Sequence, residues 1–248
     1  MSDTVQLAVD RGIARLELDR PDKRNALSIG LINALNDAIG SIERDAEIRS
    51  VILGGRGRSF CAGMDLQGVL DDAPAMSEML MGLSIAMRRL RRLPVPVIAR
   101  IQGAAVGGGC GLCVVADFAI THPEAKLGYP EVGLGVCPAV VAPWLVRRIG
   151  AGPAREMLLA GGTMSGEEAL RRGLVTSLCP QDELDGTVME LAEHLGRGGR
   201  NAIAVTKHWL NELDGSLDDG PLDRAAELSA EVIATEEARQ RLQSIFNG

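Results

Sequence analysis

Aromatic residues are scarce in this sequence, which has three phenylalanines, two tryptophans and one tyrosine among 248 residues. Proteins that hold single-stranded nucleic acid usually stack its bases on aromatic side chains, so this function is disfavoured. Basic residues are also in deficit, with 26 lysines and arginines against 33 aspartates and glutamates. The net charge of −7 argues against nucleic acid or an anionic membrane as partner, although clustered cations could still hold a small anionic ligand.

The sequence also offers little for disulfides, metals or membrane spans. The five cysteines are an odd number and no signal peptide precedes them, so we expect reduced thiols in a cytoplasmic setting. Cys110 and Cys113 have C-x-x-C spacing but stand at an apolar helix start, and the three histidines supply no ligand spacing. Buried structural thiols and no metal are therefore expected. The longest apolar stretch, 103–116, is too short and glycine-rich to span a membrane.

Hydrophobic periodicity predicts strands alternating with helices over about the first 190 residues. Predicted strands lie at 5–9, 13–18, 50–53, 94–99 and 118–120, and predicted helices follow a Ser28 cap and lie at 79–93, 143–149, 154–159 and 165–172. Segment 67–77 is expected to be irregular and partly mobile, because Asp71-Asp72-Ala73-Pro74 breaks the period. The arginines at 88–92 are most simply interpreted as a solvated helix end.

The last part of the chain has a different character. Three amphipathic helices are predicted at 187–195, 202–213 and 222–246, with no strands between them. A boundary near residue 190 would divide the chain into a core of residues 1–190 and a helical region of residues 191–248. The apolar faces of these helices need a surface to cover them, so we expect self-association.

A strand, a run of small residues and a helix follow one another between Pro94 and Asp117. The consecutive glycines 107–109 permit close approach of another molecule, and the helix N-terminus behind them favours negative charge. A dinucleotide site is disfavoured because its glycine and acidic spacing is absent, and a phosphate loop lacks its Gly-Lys-Ser/Thr ending. Taken alone, the turn would be explained by close packing of a helix on a sheet.

A second small-residue turn, Ala62-Gly63-Met64-Asp65, also opens a helical segment. Two such turns could each offer one backbone N–H to a single oxygen, as in an oxyanion hole. Glu131 stands in an otherwise uncharged loop, 128–133. A solvated carboxylate is the commoner explanation, and a general base with a raised pKa is the functional one. No Gly-x-Ser-x-Gly elbow is present, so a serine hydrolase is disfavoured.

Taken together, these motifs resemble the crotonase superfamily, the enoyl-CoA hydratase/isomerase family. Four ordered segments carry the resemblance, which covers nearly the whole chain: R-P-D-K-R-N-A-L at 20–27, F-C-A-G-M-D-L at 60–66, G-G-G-C-G-L at 107–112 with Ala116-Asp117, and L-G-Y-P-E-V-G-L-G-V-C-P at 127–138. The resemblance implies an α/β (α+β) fold, a crotonase-like spiral of ββα turns with a C-terminal helical oligomerisation region. It also implies a homotrimer or a dimer of trimers.

The resemblance further implies an acyl-CoA thioester as substrate, with no separate cofactor. By position, the N–H groups of Met64 and Gly108 would hold the thioester oxygen, and Glu131 would replace one of the two catalytic glutamates of the hydratases. The other implied substrate contacts are Lys23 and Arg24 for the CoA phosphates, the backbone around Ala62, Asp65 and Leu66 for the adenine, and Gly107, Gly111, Tyr129 and Pro130.

Three departures from the family pattern bear on the reaction. Gly111 stands where the second hydratase glutamate would fall, and Ala139-Val140 replaces the Gly-Gly that usually follows Pro138. The segment 138–143, with glycine at 111, resembles a bacterial subgroup related to methylglutaconyl-CoA hydratases, whereas a single glutamate resembles the Δ3-Δ2-enoyl-CoA isomerases. The basic residues that family members often carry near the C-terminus are absent after Arg241.

Hydration of a 2-enoyl-CoA through a stabilised enolate is favoured, and double-bond migration by Glu131 alone is the alternative. An acyl-CoA-binding protein with little catalysis is a third possibility from another class. It is favoured only if Glu131 points away from the thioester.

Overall fold

The computed structural model describes residues 4–70 and 72–246. Strands and helices alternate as far as residue 178, and helical segments alone follow. The strands are β1 Val5–Asp10, β2 Ile13–Leu18, β3 Ser50–Gly55, β4 Val97–Arg100, β5 Ala105–Val106, β6 Phe118–Thr121, β7 Lys126–Gly128, β8 Thr163–Ser165 and β9 Ser177–Leu178. The helices are α1 Ile29–Arg44, α2 Ala73–Arg92, α3 Gly108–Val114, α4 Ala142–Ile149, α5 Ala151–Ala160, α6 Gly166–Arg171, α7 Leu184–Gly196, α8 Arg200–Leu213, α9 Gly220–Ile233 and α10 Glu236–Phe246. Within the described residues, no helix is both long and apolar enough to cross a membrane.

Two sheets organise the first two thirds of the chain. The larger has the order β1-β2-β3-β4-β6-β9, in which β1 and β2 form the predicted antiparallel hairpin and all later pairings are parallel. The smaller has the order β5-β7-β8. The units β4-β5-α3 and β6-β7-α4 each run from a strand of the large sheet through a strand of the small sheet into a helix. This repeated order is the ββα turn that the sequence predicted.

The large sheet is covered on both faces, because alternate residues of its strands enter different apolar clusters. Val51 and Leu53 of β3 join the main core with α1 and α2. Ile52 of β3 and Ile98 of β4 instead pack with α7. The predicted boundary near residue 190 falls inside α7, so the part of the chain that covers the sheet extends to the end of this helix. The division into two regions is not tested further and stays a prediction.

The segment 67–77, which was predicted to be irregular, contains a 3-10 turn and the start of a helix; its predicted mobility stays a prediction. A 3-10 turn spans Leu66–Gly68, and α2 begins at Ala73. The Asp72 carboxylate caps α2 by accepting a hydrogen bond from the Ala75 N–H at 3.0 Å, and Pro74 lies in the first turn. The prediction of an irregular segment was wrong because Asp-Ala-Pro is a helix-start signal here rather than a break in the period. Asp71 lies outside the described residues.

The predicted single helix at 222–246 is two helices. α9 ends at Ile233, and α10 begins at Glu236 after the Ala234-Thr235 pair. The Thr235 hydroxyl accepts a hydrogen bond from the Ala238 N–H at 3.3 Å and so caps α10. A threonine that caps a new helix turns the chain where periodicity alone continues it.

The arginines that end α2 do not form a solvated helix end. Arg91 forms an ion pair with Asp214 at 2.6 Å, and Arg88 and Arg92 approach Asp219 at 3.3 and 2.7 Å. That interpretation was wrong because the segment between α8 and α9 folds back onto α2. Carboxylates more than a hundred residues away in the chain neutralise these cations.

Candidate active site

The two small-residue turns lie side by side. The Cys61 N–H donates to the Ala104 carbonyl at 2.9 Å, and the Val106 N–H donates to the Cys61 carbonyl at 3.0 Å. A Cβ atom at Gly109 would lie 2.5 Å from the Cys61 carbonyl oxygen, so only glycine lets α3 approach the first turn this closely. The helix itself begins at Gly108.

Met64 and Gly108 each present a backbone N–H without an acceptor among the described residues. The Leu27 N–H donates to the Gly63 carbonyl at 2.8 Å and the Asp65 N–H donates to the Leu27 carbonyl at 3.0 Å, which turns the Met64 N–H away from Leu27. Gly108 is the first residue of α3, where N–H groups have no partner within the helix. A Cβ at Gly108 would lie 3.6 Å from Met64 Cγ, so the two donors belong to neighbouring residues.

The carboxylate of Glu131 lies against the backbone just before Gly108. Glu131 begins a 3-10 turn, Glu131–Leu134, that follows strand β7 of the smaller sheet. A Cβ at Gly107 would lie 2.7 Å from Glu131 Oε1, and Gly107 also has a φ of +54°, so it must be glycine on two counts. The arrangement brings one acidic group next to the two free N–H donors.

Burial makes Glu131 able to exchange a proton near neutral pH. Its Oε2 is buried and has no hydrogen-bond partner among the described residues. Burial raises the pKa of Glu131 to about 7, against a smaller lowering by its own backbone N–H. Such a pKa suits a group that accepts a proton and returns it within one reaction.

Glu131 and the two turns open into a cavity of about 110 Å³. Its wall is largely apolar, and the Ser229 hydroxyl on it is already engaged, since it donates to the Cys137 carbonyl at 3.0 Å. The lining residues are Ala62, Gly63, Met64, Leu66, Leu80, Leu83, Val106, Gly107, Gly108, Pro130, Glu131, Leu134, Val136, Cys137, Pro138, Val140, Val141, Ser229 and Ile233. An apolar pocket with one convergent carboxylate and two backbone donors is typical of an active site.

Comparison with known proteins decides the family. A model of the family described as enoyl-CoA hydratase/isomerase matches residues 8–244. The chain belongs to this family. The short-chain-enoyl-CoA hydratase of Clostridium acetobutylicum is 31% identical over 98% of this chain and 95% of that protein. The 1,2-epoxyphenylacetyl-CoA isomerase of Escherichia coli is 32% identical over 90% of this chain and 87% of that protein.

Solved structures in the family share the fold. The crystal structure of enoyl-CoA hydratase from Bacillus halodurans is 27% identical, has a TM-score of 0.89, and is matched over 97% of this chain and 99% of that one. The α/β crotonase fold is therefore confirmed, and the protein is an enzyme of the hydratase or isomerase type. The likeness to methylglutaconyl-CoA hydratases stays a prediction.

The enoyl-CoA hydratase/isomerase pattern assigned nine further residues to the substrate site, and four of them line the cavity: Ala62, Leu66, Gly107 and Pro130. Lys23 and Arg24 are exposed and lie outside it, but the Arg24 carbonyl accepts a hydrogen bond from the Ala62 N–H at 3.0 Å, so their loop borders the first turn. The Asp65 carboxylate forms an ion pair with Arg20 at 3.1 Å.

The two remaining residues, Gly111 and Tyr129, do not line the cavity. A Cβ at Gly111 would overlap Met87 Cε and lie 2.6 Å from Val141 Cγ1, so the position of the family's second glutamate is filled. Tyr129 is completely buried, and its pKa is raised by burial and by the neighbouring Cys110 thiol. The substrate contacts predicted for both residues have no support in their placement and stay untested.

The family motifs did not indicate the residues that close the cavity. Leu80 and Leu83 come from α2, and Ser229 and Ile233 come from α9. The last pair has i, i+4 spacing, so they lie on one face of α9, a helix that the sequence assigned to oligomerisation only. A serine on an otherwise apolar helical stripe was the one available signal.

The two cysteines of the C-x-x-C spacing are buried, as expected. Cys61, Cys110 and Cys113 are fully buried, and burial raises the pKa of the first two thiols to about 12. Among the described residues no group of histidine, cysteine, aspartate or glutamate side chains could hold a metal ion.

Proposed function

We propose that this enzyme adds water to the double bond of a 2-enoyl-CoA with a short acyl chain. The observation that carries the proposal is the Glu131 carboxylate, which lies beside two free backbone N–H groups in an apolar cavity. This position also argues against a pure acyl-CoA-binding role, which would have required Glu131 to point away from the thioester.

The thioester oxygen would accept hydrogen bonds from the Met64 and Gly108 N–H groups. Negative charge develops on this oxygen as an enolate forms, and the N-terminal end of the α3 dipole lies behind one donor. Both donors are fixed by backbone geometry, so they need no reorganisation. Loss of one such donor costs about 3–4 kcal/mol in a comparable hydrolase site.

Glu131 would carry out both proton transfers of the reaction. As its carboxylate removes a proton from water, the water oxygen bonds to the β-carbon and the double-bond electrons move onto the thioester oxygen. When the carbonyl re-forms, the protonated carboxyl returns the proton to the α-carbon. One carboxylate can serve in both steps because its pKa of about 7 lets either form exist at neutral pH.

Double-bond migration is the second candidate, and the filled position at Gly111 favours it. A base that carries one proton from the α-carbon of a 3-enoyl thioester to its γ-carbon needs no second carboxylate. The E. coli relative is named as an isomerase of a different CoA thioester, 1,2-epoxyphenylacetyl-CoA, so isomerases occur among the relatives of this chain. We favour hydration because segment 138–143 resembles hydratases.

The test of the function is a panel of 2-enoyl- and 3-enoyl-CoA thioesters of varied length and branching, assayed for both hydration and migration. Hydration of a short 2-enoyl-CoA faster than any migration supports the proposal. Migration without hydration would favour the isomerase. Calorimetry with CoA, whose phosphates we expect near Lys23 and Arg24, reports binding independently; absence of both binding and turnover would refute the proposal.

The size of the cavity is the reason for expecting a short acyl chain. A cavity of about 150 Å³ holds a benzene molecule, so a cavity of about 110 Å³ has room for an acyl chain of a few carbons. Ile233 separates this cavity from a smaller one lined by Leu70, Ala73, Met76, Ala230, Ala234 and Arg239. Ile233 is 2% exposed and therefore forms a packed partition.

Replacing Ile233 by alanine is expected to extend the accepted chain length. The variant joins the two cavities, so the ratio of kcat/KM for an eight-carbon to a four-carbon 2-enoyl-CoA should rise by roughly tenfold, the effect of about one or two buried methylenes. Steady-state kinetics with both thioesters measures this. Leu228→Ala, at a partly exposed position on the same helix, is the control; an unchanged ratio in Ile233→Ala would show that the acyl chain leaves by another route.

The raised pKa of Glu131 predicts opposite pH dependences for turnover and stability. Turnover should rise as pH passes through about 7, because the base is the ionised form. The folded state keeps a proton that the unfolded state loses above pH 4.5, so the free energy of unfolding should fall between pH 4.5 and 7. The shift corresponds to about 3 kcal/mol. Urea unfolding at pH 5 and pH 8, compared with Glu131→Gln, measures it; equal slopes in both proteins would contradict the raised pKa.

Self-association through the C-terminal helices is also proposed. Val205, Trp209, Leu210 and Leu213 of α8 are each more than half exposed and follow one another at helical spacing. A second copy of the chain would cover this stripe. Light scattering should therefore show a trimer or hexamer at micromolar concentration, and the double variant Val205→Glu/Leu213→Glu should shift it toward monomer. A stable wild-type monomer would contradict this.

A further inference from the structure

A second cavity lies at the opposite end of α3 from the proposed oxyanion hole. It has a volume of about 180 Å³ and is lined by Arg91, Val114, Trp144, Arg147 and Arg148. It shares no lining residue with the cavity beside Glu131. Val114 ends α3, so this second cavity lies about 10 Å along the helix from its first residue.

The carboxylates around this cavity are already paired. Arg91 forms ion pairs with Asp214 at 2.6 Å and with Asp117 at 3.9 Å. Asp117 also binds the ammonium group of Lys207, which is 9% exposed, at 2.6 Å. These two carboxylates are therefore already bound to Arg91 and Lys207.

Arg147 and Arg148 form no ion pair among the described residues. Arg147 donates to the backbone carbonyls of Asp214 at 3.0 Å and Gly215 at 2.8 Å, and Arg148 donates to that of Gly173 at 3.2 Å. Burial is the main cause of a lowered pKa at both guanidinium groups. Asp214 and Asp218 raise the pKa of Arg147 through space, but Asp214 is already bound to Arg91. Asp218 accepts a hydrogen bond from the Gly220 N–H at 3.0 Å and forms no ion pair with Arg147 or Arg148, so one carboxylate faces two guanidinium groups.

Neither the helix dipole nor local hydrogen bonds balance the positive charge of Arg147 and Arg148. The C-terminal end of α3 supplies roughly half a negative charge, against two guanidinium groups that form no ion pair within the described part of the chain. Nη1 of Arg147 and Nε1 of Trp144 are buried without an acceptor among the described residues. The Arg147 guanidinium stacks over the Trp144 ring at 5.1 Å, which holds its plane in a fixed orientation.

We propose that this cavity binds a small oxyanion of the phosphate or carboxylate type, held by Arg91, Arg147 and Arg148. Guanidinium groups match the oxygens of such anions in bidentate hydrogen bonds. At about 30 Å³ for a water molecule, 180 Å³ accommodates a tetrahedral oxyanion with part of its hydration shell. The bound anion supplies the negative charge that the two unpaired arginines lack, in a protein whose overall charge of −7 otherwise repels anions.

The two tryptophans provide a direct measurement. Trp144 is buried in the cavity wall and Trp209 is exposed on α8, so Trp209→Phe leaves a single indole that reports on the cavity. At constant ionic strength, titration with phosphate should give a saturable change of Trp144 fluorescence and raise the melting temperature. Acetate in place of phosphate distinguishes a carboxylate site from a phosphate site, and sodium chloride is the control for ionic strength.

Substitution of Arg148 tests whether the anion binds here. Arg148→Gln is expected to weaken phosphate binding at least tenfold. Arg148→Lys keeps the positive charge but loses the bidentate hydrogen-bonding geometry of the guanidinium group, so it is expected to weaken phosphate binding less than Arg148→Gln does. Arg171→Gln, at an exposed position on α6, should leave the affinity unchanged. Circular dichroism and melting confirm that each variant folds.

Several results would overturn the proposal. They are the absence of a saturable signal with phosphate or acetate, an affinity that Arg148→Gln leaves unchanged, and competition by saturating CoA, which would place the anion in the substrate site. A cavity filled by a carboxylate of a second copy would give the first of these results. Retained phosphate binding in the presence of CoA supports a separate site.

Discussion

Glu131→Gln is expected to remove nearly all turnover while leaving CoA affinity close to that of the wild type. Among the cavity-lining residues, Glu131 carries the only carboxylate. General acid–base catalysis contributes roughly 10²–10⁴-fold, and with no second carboxylate to take over, the loss should reach the top of that range or exceed it. Hydration and migration rates, measured alongside calorimetry with CoA, separate loss of chemistry from loss of binding.

Glu124→Gln is the matched control, since this exposed glutamate precedes Glu131 by seven residues and pairs with His122 outside the cavity. It should leave both rates unchanged. The Glu131→Gln protein should also be more stable than the wild type above pH 7, because a neutral amide has no ionisation penalty in the buried position. Wild-type rates in Glu131→Gln would show that the chemistry uses another group.

Gly111→Glu is expected to destabilise the protein strongly without raising hydration. The added side chain meets Met87 and Val141 in the core, and overpacking of this kind costs about 1–3 kcal/mol. An unpaired carboxylate placed there adds a desolvation cost, so a total loss of roughly 3–5 kcal/mol is expected. Urea unfolding measures the stability, and hydration assays measure the activity.

Gly111→Gln separates these two costs, because it has nearly the same shape without the charge. At pH 8, the free energy of unfolding of Gly111→Gln should fall only by the cost of overpacking, without the cost of desolvating a carboxylate. Gly111→Glu combined with Val141→Ala offers the carboxylate more room and tests whether space alone prevents catalysis. A stable Gly111→Glu protein with faster hydration would show that the second glutamate is tolerated and useful here.

Local sequence predicted the parts of the candidate site that local conformation creates. The N–H groups of Met64 and Gly108 are free because of turn geometry and the first turn of a helix, and both follow from short runs of small residues. The cap at Ser28 was found for the same reason, since its side chain accepts a hydrogen bond from the Leu31 N–H three residues later.

Local sequence could not predict contacts between distant segments. The arginines at the end of α2 looked solvated because their partners, in the segment between α8 and α9, lie more than a hundred residues away. The helix break at Ala234-Thr235 was missed because the apolar period continues across it. Similarly, nothing in the family pattern showed that α9 supplies Ser229 and Ile233 to the cavity wall.

The sequence by itself predicted the family and the alternation of strands and helices, and through the family resemblance it indicated Met64 and Gly108 as candidate donors and Glu131 as the candidate acid or base. These depend on side-chain type and on conformations spanning a few residues. Only the tertiary structure decided the pKa of Glu131, the closure of the space at Gly111, the size of the acyl cavity and the unpaired charge of Arg147 and Arg148. Desolvation, steric exclusion and charge balance depend on atoms that packing brings together from distant parts of the chain.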